Sequence, residues 1–333
     1  MNILGLESSC DETAVAIIND EDVLTSLISS QELHREFGGV VPEFASREHM
    51  KHIDKMVKSA FLQVNLTLEN IDGIAVTHGP GLMGALLVGL SYAKGLAFSS
   101  KKPLIGVNHI EGHIMANFLN HKDLQFPFLC LLVSGGHSQI VYVKDFHDYK
   151  ILGKSVDDAA GEAFDKAARI LGLGYPGGPI IDIMAKEGNP KFHKFPRARV
   201  KNRPNDLSFS GLKTSVLYLS IEKGQDWIQE NIYGLCASYQ EAIVDILQKK
   251  TFDILKIVDV NRIVLAGGVA ANSRLRQVFQ QKAKHKKVEI YFPSLKYCTD
   301  NAAMIAKTGM EMYKRGMVSK MNIPAIPNLR LID

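Results

Sequence analysis

His109-Ile110-Glu111-Gly112-His113 places two imidazoles four residues apart. On a helix, residues so spaced share one face, and both rings can reach one metal ion. A zinc peptidase of the His-Glu-x-x-His kind needs a glutamate directly after the first histidine to activate water. Ile110 stands there instead, so the pair suggests a metal and argues against that peptidase. Taken alone, the two histidines also fit an ordinary surface or core role. Asp300 opens a helix predicted far down the chain. Aspartate is a favoured helix N-cap, and capping alone would account for it. Beside the histidines it completes a donor set of two nitrogens and one carboxylate oxygen, with positions left open for a substrate oxygen.

Other candidates are turns. Ser134-Gly135-Gly136-His137-Ser138 is compact and rich in backbone N–H groups, and it reads equally as a hairpin turn or as a cradle for phosphate. Gly267-Gly268-Val269-Ala270-Ala271-Asn272 follows a predicted strand and opens a helix, a placement suited to phosphate or a nucleoside. Asp158, Gly161, Glu162 and Asp165 share one helical face, while Ala160, Phe164, Ala167 and Leu171 form an apolar stripe on another. Such an acidic face is ordinarily solvated; lining a cleft, it would suit ribose hydroxyls. Tyr175-Pro176-Gly177-Gly178-Pro179, with Asp182 after it, implies a fixed turn. Asp11 and Glu12 sit in the first hairpin turn, as plain turn residues or as groups that accept a proton or hold an amine. Lys194, Arg197, Arg199, Lys201 and Arg203 cluster, with Phe192 and Phe195 interleaved, and a second basic run covers Lys282 to Lys287. These are solvated faces or an RNA-binding edge.

The elements that must carry these residues repeat. Ile3 to Leu6, a polar turn and Ala14 to Ile18 read as strand, turn, strand; so do Phe128 to Val133, the Ser134 turn and Gln139 to Val143. Ile71 to Thr77, a glycine turn and the helix Gly84 to Phe98 have a counterpart in Arg262 to Ala266, Gly267-Gly268 and the helix Asn272 to Lys284. Strands Leu104 to Val107 and Val288 to Phe292 follow, each leading to a helix, His109 to Leu119 and Asp300 to Tyr313. Three parallels in order suggest two duplicated α/β lobes facing across a cleft, residues 1–122 and 123–333, with the terminal helix free to pack back on the first. An insertion occupies about 174–219. Leu235 to Lys256 has helical periodicity, with Ile243, Leu247, Ile254 and Ile257 as core candidates.

Composition narrows the classes. Lys and Arg number 39 against 35 Asp and Glu, a net charge of only +4, which argues against binding nucleic acid by bulk charge. Hydrophobic residues at 46% and charged residues at 22% exclude disordered and fibrous chains. The four cysteines are scattered and form no Cys-x-x-Cys pair, against a disulfide framework or a thiolate zinc site. The start lacks the pattern of a signal peptide, and Gly79 to Phe98 is broken by Pro80 and Lys94, so a cytoplasmic protein without a membrane span is expected.

In order along the chain stand Glu7-Ser8-Ser9-Cys10-Asp11-Glu12-Thr13, His109-x-x-x-His113, Val133-Ser134-Gly135-Gly136-His137, Asp158 to Lys166, Tyr175-Pro176-Gly177-Gly178, Phe209-Ser210-Gly211-Leu212-Lys213-Thr214, Ala266 to Asn272 and Cys298-Thr299-Asp300-Asn301. Together they resemble the TsaD family of bacterial tRNA threonylcarbamoyladenosine transferases, once labelled O-sialoglycoprotein endopeptidases, over roughly Met1 to Arg315. The resemblance implies duplicated ribonuclease-H-like lobes of the actin, Hsp70 and sugar-kinase (ASKHA) type with an inter-lobe cleft. It implies one divalent metal, iron (Fe2+) ahead of zinc, on His109, His113 and Asp300. Substrate contacts would map to Leu132, Val133, Ser134, Gly135, Gly136, Asp165, Gly178, Asp182 and Asn272, with Asp11 and Glu12 as catalytic candidates. The implied activity moves a threonylcarbamoyl group from threonylcarbamoyl-adenylate to the exocyclic amine of the adenosine after the anticodon, in tRNAs reading codons that start with A, releasing AMP. Implied partners are tRNA, a TsaB-like paralogue, a TsaE-like ATPase and a TsaC-type enzyme that makes the donor. The tail departs from the family pattern after Met317, ending in Ile323-Pro324-Ala325-Ile326-Pro327-Asn328-Leu329-Arg330. A metallopeptidase and an ATP-dependent actin-like binding module are the competing readings.

Overall fold

The computed structural model describes residues 1–30 and 39–331. The chain divides into two units, one formed by Met1–Leu124 with Pro293–Asp333 and the other by Gln125–Phe292. Each holds a five-stranded sheet. In the first unit β1 (Ile3–Glu7), β2 (Glu12–Ile18) and β3 (Val23–Ser30) form an antiparallel meander, and β4 (Gly73–Gly79) and β5 (Leu104–Asn108) run parallel to β1. In the second, β6 (Phe128–Val133), β7 (Ser138–Asp145) and β8 (Asp148–Lys154) form the meander, and β9 (Arg262–Ala266) and β10 (Glu289–Tyr291) run parallel to β6. The strand orders, β3-β2-β1-β4-β5 and β8-β7-β6-β9-β10, are the same plan twice. The duplication expected from the sequence is present. It extends to a third meander strand in each sheet, β3 and β8, whose partly exposed residues alternate too weakly to stand out as core.

The helices follow in chain order: α1 (Pro42–Val64), α2 (Met83–Ser100), α3 (His109–Met115), α4 (Ala160–Ile170), α5 (Gly177–Ala185), α6 (Ser210–Lys223), α7 (Gln225–Glu230), α8 (Ile232–Leu255), α9 (Ser273–Lys286) and α10 (Ala302–Lys314). Among the described residues no helix is long and apolar enough to cross a membrane. The helix expected over His109 to Leu119 stops at Met115 and tightens into a 3-10 turn, Ala116–Leu119. Ile243, Leu247 and Ile254 are buried as expected, but Ile257 is 69% exposed. Helix α8 ends at Leu255, so the helical period no longer fixes where Ile257 points.

Strand alternation divides the first unit's residues between two faces. Leu4 and Leu6 of β1 and Ile74 and Val76 of β4 join a core with Val57 and Ala60 of α1 and Leu90 and Ala93 of α2. Gly5 and Glu7 of β1, with Ala75 and Thr77 of β4, turn to the other face, where α10 lies. A Cβ on Gly5 would stand 2.4 Å from the carbonyl oxygen of Ala302, and one on Gly309 would stand 2.4 Å from the Ala75 Cβ. These small residues let α10 settle close to the strands. The Asp300 helix, counted with the second half in the repeat but free to pack back, lies with Pro293–Asp333 in the first unit. The change Gly5→Ala forces α10 off the sheet and should destabilise the protein by about 1–3 kcal/mol, read as a lower thermal midpoint; an unchanged midpoint would show that α10 has room to give.

Candidate functional site

Strand β1 is apolar until its last residue, Glu7, which is buried beneath the α10 face. The Glu7 carboxylate accepts hydrogen bonds from Thr77 Oγ1 at 2.6 Å and from the Ser9 backbone N–H at 2.5 Å. Its Oε2 stands 3.0 Å from His109 Nδ1, and Ser9 Oγ is 3.1 Å from that nitrogen. Strand β5 ends at Asn108, whose Oδ1 accepts the N–H groups of Ile110 at 2.9 Å and Glu111 at 3.4 Å and so starts α3. His109 is therefore the first residue of α3, and His113 follows one turn on, its ring 4.7 Å from that of His109 at 84°. On the other side Asn301, not Asp300, caps α10, accepting the Met304 N–H at 2.9 Å. Capping thus does not account for Asp300. Its Oδ1 lies 3.4 Å from His109 Nε2 and 3.1 Å from His113 Nε2.

Two carboxylates flank one buried imidazole. Burial alone would depress His109, but the charges of Asp300 and Glu7 raise it well above the ordinary histidine value. Burial likewise opposes ionisation of Glu7 and Asp300, and the facing His109 charge reverses this and holds both below the usual carboxylate range. The pocket selects for positive charge. The ligand atoms of His109, His113 and Asp300 lie within 4.8 Å of one another. With Nδ1 of His109 turned to Glu7, its Nε2 is the nitrogen that faces Asp300, the arrangement by which a carboxylate orients a metal-bound histidine. His113 Nδ1 is buried without a hydrogen-bond partner. The donor set suits a first-row transition ion such as Fe2+ or Zn2+. Beside it the Glu12 carboxyl is pushed up to about 9, by burial first and then by Asp300 and Asp11. Burial, then Asp11 and Asp300, also raises the Cys10 thiol, which is no thiolate nucleophile. His49 of α1 braces this turn, 2.7 Å from Thr13 Oγ1 and 3.0 Å from the Cys10 carbonyl oxygen.

The second unit gathers the remaining candidates. Leu132 and Val133 end β6, and the turn after them is closed by the Ser134 N–H donating to the His137 carbonyl at 2.8 Å. Open space lies where a Cβ on Gly135 or Gly136 would be, so a ligand can approach the backbone closely. The Gly161 N–H donates to the Ser134 carbonyl at 3.2 Å, which seats α4 against the turn. Asp165 of α4 accepts the Gly177 N–H at 2.8 Å and fixes the start of α5, which carries Gly178 and Asp182. Asp182 in turn accepts from Ser273 N–H and Oγ at 3.1 Å and 2.8 Å. Asn272 caps α9 through the Leu275 N–H at 2.9 Å and donates to Gln240 Oε1 at 2.6 Å. The candidates thus fall into two sets, the candidate metal ligands with Asp11 and Glu12 in one unit and the loop residues in the other.

Residues 22–307 match the family model described as TsaD, tRNA N6-adenosine threonylcarbamoyltransferase. A protein of that name from Thermosipho africanus is 50% identical over 332 residues, covering 99% of this chain and 100% of the relative. The chain belongs to the TsaD family. Among solved structures, full-length HypF in its phosphate- and nucleotide-bound form aligns with a TM-score of 0.65 at 13% identity, over 96% of this chain and 56% of that one. Component A of the (R)-2-hydroxyglutaryl-CoA dehydratase of Acidaminococcus fermentans aligns with a TM-score of 0.54 at 13% identity, over 92% and 96%. These likenesses support the duplicated ASKHA-type fold.

The TsaD motifs read from the sequence did not assign a role to Glu7, Thr77, Asn108 or Asn301, which position His109, His113 and Asp300. The signal for Glu7 was an acidic residue ending a strand otherwise fit only for the core. The tail after Met317 also bears on α3. Lys94 Nζ donates to the Ile323 carbonyl at 2.6 Å, the Ile326 N–H to the His78 carbonyl at 2.8 Å, and Asn108 Nδ2 to the Arg330 carbonyl at 2.8 Å. The residue that starts α3 is thereby tied to the last described turn of the chain.

Two outcomes follow from the Glu7–His109–Asp300 row. Removing the Glu7 charge by Glu7→Gln should weaken binding of Fe2+ or Zn2+ by about 10–100-fold, measured by calorimetry on the folded variant; equal affinity would separate Glu7 from the metal. Metal must also displace the proton on His109, whose affinity for it is raised, so below that raised value metal affinity should fall about tenfold per pH unit as pH drops. Flat isotherms from about pH 8 to about pH 6 would contradict this.

Proposed function

We propose that the chain transfers a threonylcarbamoyl group from threonylcarbamoyl-adenylate to the exocyclic amine of the adenosine after the anticodon, in tRNAs that read codons starting with A, with AMP as leaving group. Membership of the TsaD family supports the tRNA acceptor. The observation that carries the reading is the convergence of two buried histidines, His109 and His113, and the half-buried Asp300 within 4.8 Å of one another, with Glu7 behind His109. A divalent ion held there, iron ahead of zinc, supplies Lewis-acid charge for the donor's oxygens.

The adenine amine is a weak nucleophile because its lone pair is conjugated with the ring. Positioning and charge stabilisation therefore carry the reaction. Gly135 and Gly136 offer close-approach backbone to the donor phosphate, while Asp165, Gly178, Asp182 and Asn272 frame its ribose and base. The amine nitrogen attacks the carbamoyl carbon, the carbon–oxygen bond to phosphate breaks, and AMP leaves with the electron pair. Asp11 receives the amine proton. Glu12, beside Asp11 and Asp300, is the second acid of this turn and helps to hold the amine. The TsaB-like and TsaE-like proteins and the TsaC-type donor synthesis belong to the same reading, as does a cytoplasmic location.

Reconstitution with donor-making enzyme, partner proteins and unmodified tRNA, followed by nucleoside analysis, tests it. Modified adenosine should form with the wild-type chain and not with His109→Ala. Asp11→Ala should retain donor binding and lose transfer by at least about 100-fold; unchanged turnover would remove Asp11 as the proton acceptor.

A further inference from the structure

The basic segments noted in the sequence belong to neither set of site residues. In the second unit, residues from Arg197 to Pro204, the second half of α8 and the end of α9 line a cleft of about 840 Å³. Seven Lys and Arg side chains face it against two carboxylates, Asp245 and Asp253. That surplus of five exceeds the net +4 of the whole chain, so the basic character of the protein is concentrated here.

Local pairing does not remove the excess. Arg197 engages Asp245 at 2.7 Å, and Lys249 and Lys256 share Asp253 at 2.8 Å and 2.7 Å. Both acids are thereby used, and Arg199, Lys250, Lys282 and Lys286 remain. Lys250 Nζ donates to the Pro204 carbonyl, and its ammonium is held below the usual lysine value, by burial first and then by repulsion from Lys249. Cations crowded in this way repel one another and attract a polyanion. The aromatic residue of the lining, Phe252, is buried, tilted against Phe279 at 5.6 Å, with Lys282 Nζ 5.9 Å from its ring centre. It offers no open ring face on which a base could stack, so the cleft meets phosphates rather than bases. Lys249 and Lys256 are 61% and 66% exposed, which suits contacts along a strand of phosphates and not a closed pocket for one small anion.

We propose that this cleft binds the phosphodiester backbone of RNA, gripping a paired stem of the tRNA whose adenosine is modified elsewhere on the protein. The identity of that RNA rests on the function proposed above; the affinity for RNA backbone does not. The contact is independent of sequence and weakens steeply with salt.

The test uses the full chain, a labelled unmodified tRNA transcript, an unrelated RNA duplex and polyglutamate, each titrated from about 50 to about 200 mM salt. A variant carrying Arg199→Gln, Lys282→Gln and Lys286→Gln should bind both RNAs at least tenfold more weakly, with a salt slope shallower by about two to three. Asp253→Asn should bind them more tightly, a gain that damaged folding does not produce. Wild-type binding by the triple variant, while the wild-type chain modifies tRNA, would overturn the cleft and leave the function standing. Loss of duplex binding in the variant, with no transfer activity in the reconstituted wild type, would sink the function and leave the cleft. Tighter binding of polyglutamate than of RNA would overturn the assignment in favour of an acidic polypeptide.

Discussion

A carboxylate stands on each side of the buried His109, Glu7 fully buried and Asp300 22% exposed. Glu7 is not tolerable there alone, because an unpaired buried ion costs several kcal/mol, and Asp300 adds a second negative charge beside the same ring. Together with a positive group between them they become a single neutralised row. Glu7 comes from the first strand, His109 from the helix that follows the last strand of the same sheet, and Asp300 from the approach to the terminal helix. Three parts of the chain distant in sequence are held to one geometry by one electrostatic requirement. A proton can meet it, and so can a metal ion.

The two sheets share a topology and differ in what their hairpins carry. After β1 the turn and the start of β2 bring Asp11 and Glu12 beside Asp300. At the equivalent place after β6 stand Ser134, Gly135 and Gly136, with no acid and no side chain on the two glycines. The first hairpin thus favours cations, and the second leaves its backbone open to the close approach of a ligand.

Much of this is legible in the sequence alone. Apolar runs such as Ile3 to Leu6 and Phe128 to Val133 marked the central strands, because both faces of those strands are covered. Strands β3 and β8 are edges of their sheets, half solvated, and their weak alternation hid them. The His109–His113 spacing revealed a shared face without help. Asp300 looked like a helix cap, and only the neighbouring Asn301 doing that job exposes its other purpose. The attachment of α10 to the first sheet depends on Gly5, Ala75 and Gly309 being small where they meet, and nothing local to the helix announces such a fit.

The ligand pair His113 and Asp300 is separated by 187 positions, and the helix behind Asp300 covers a sheet whose strands are all made before residue 109. On a ribosome adding about 5–20 residues per second, that sheet waits about 10–40 s with one face bare. During that interval the entire second unit, Gln125–Phe292, emerges. The face of the first sheet that meets α10 is therefore closed late, and the three side chains His109, His113 and Asp300 come together only once Asp300 has been made.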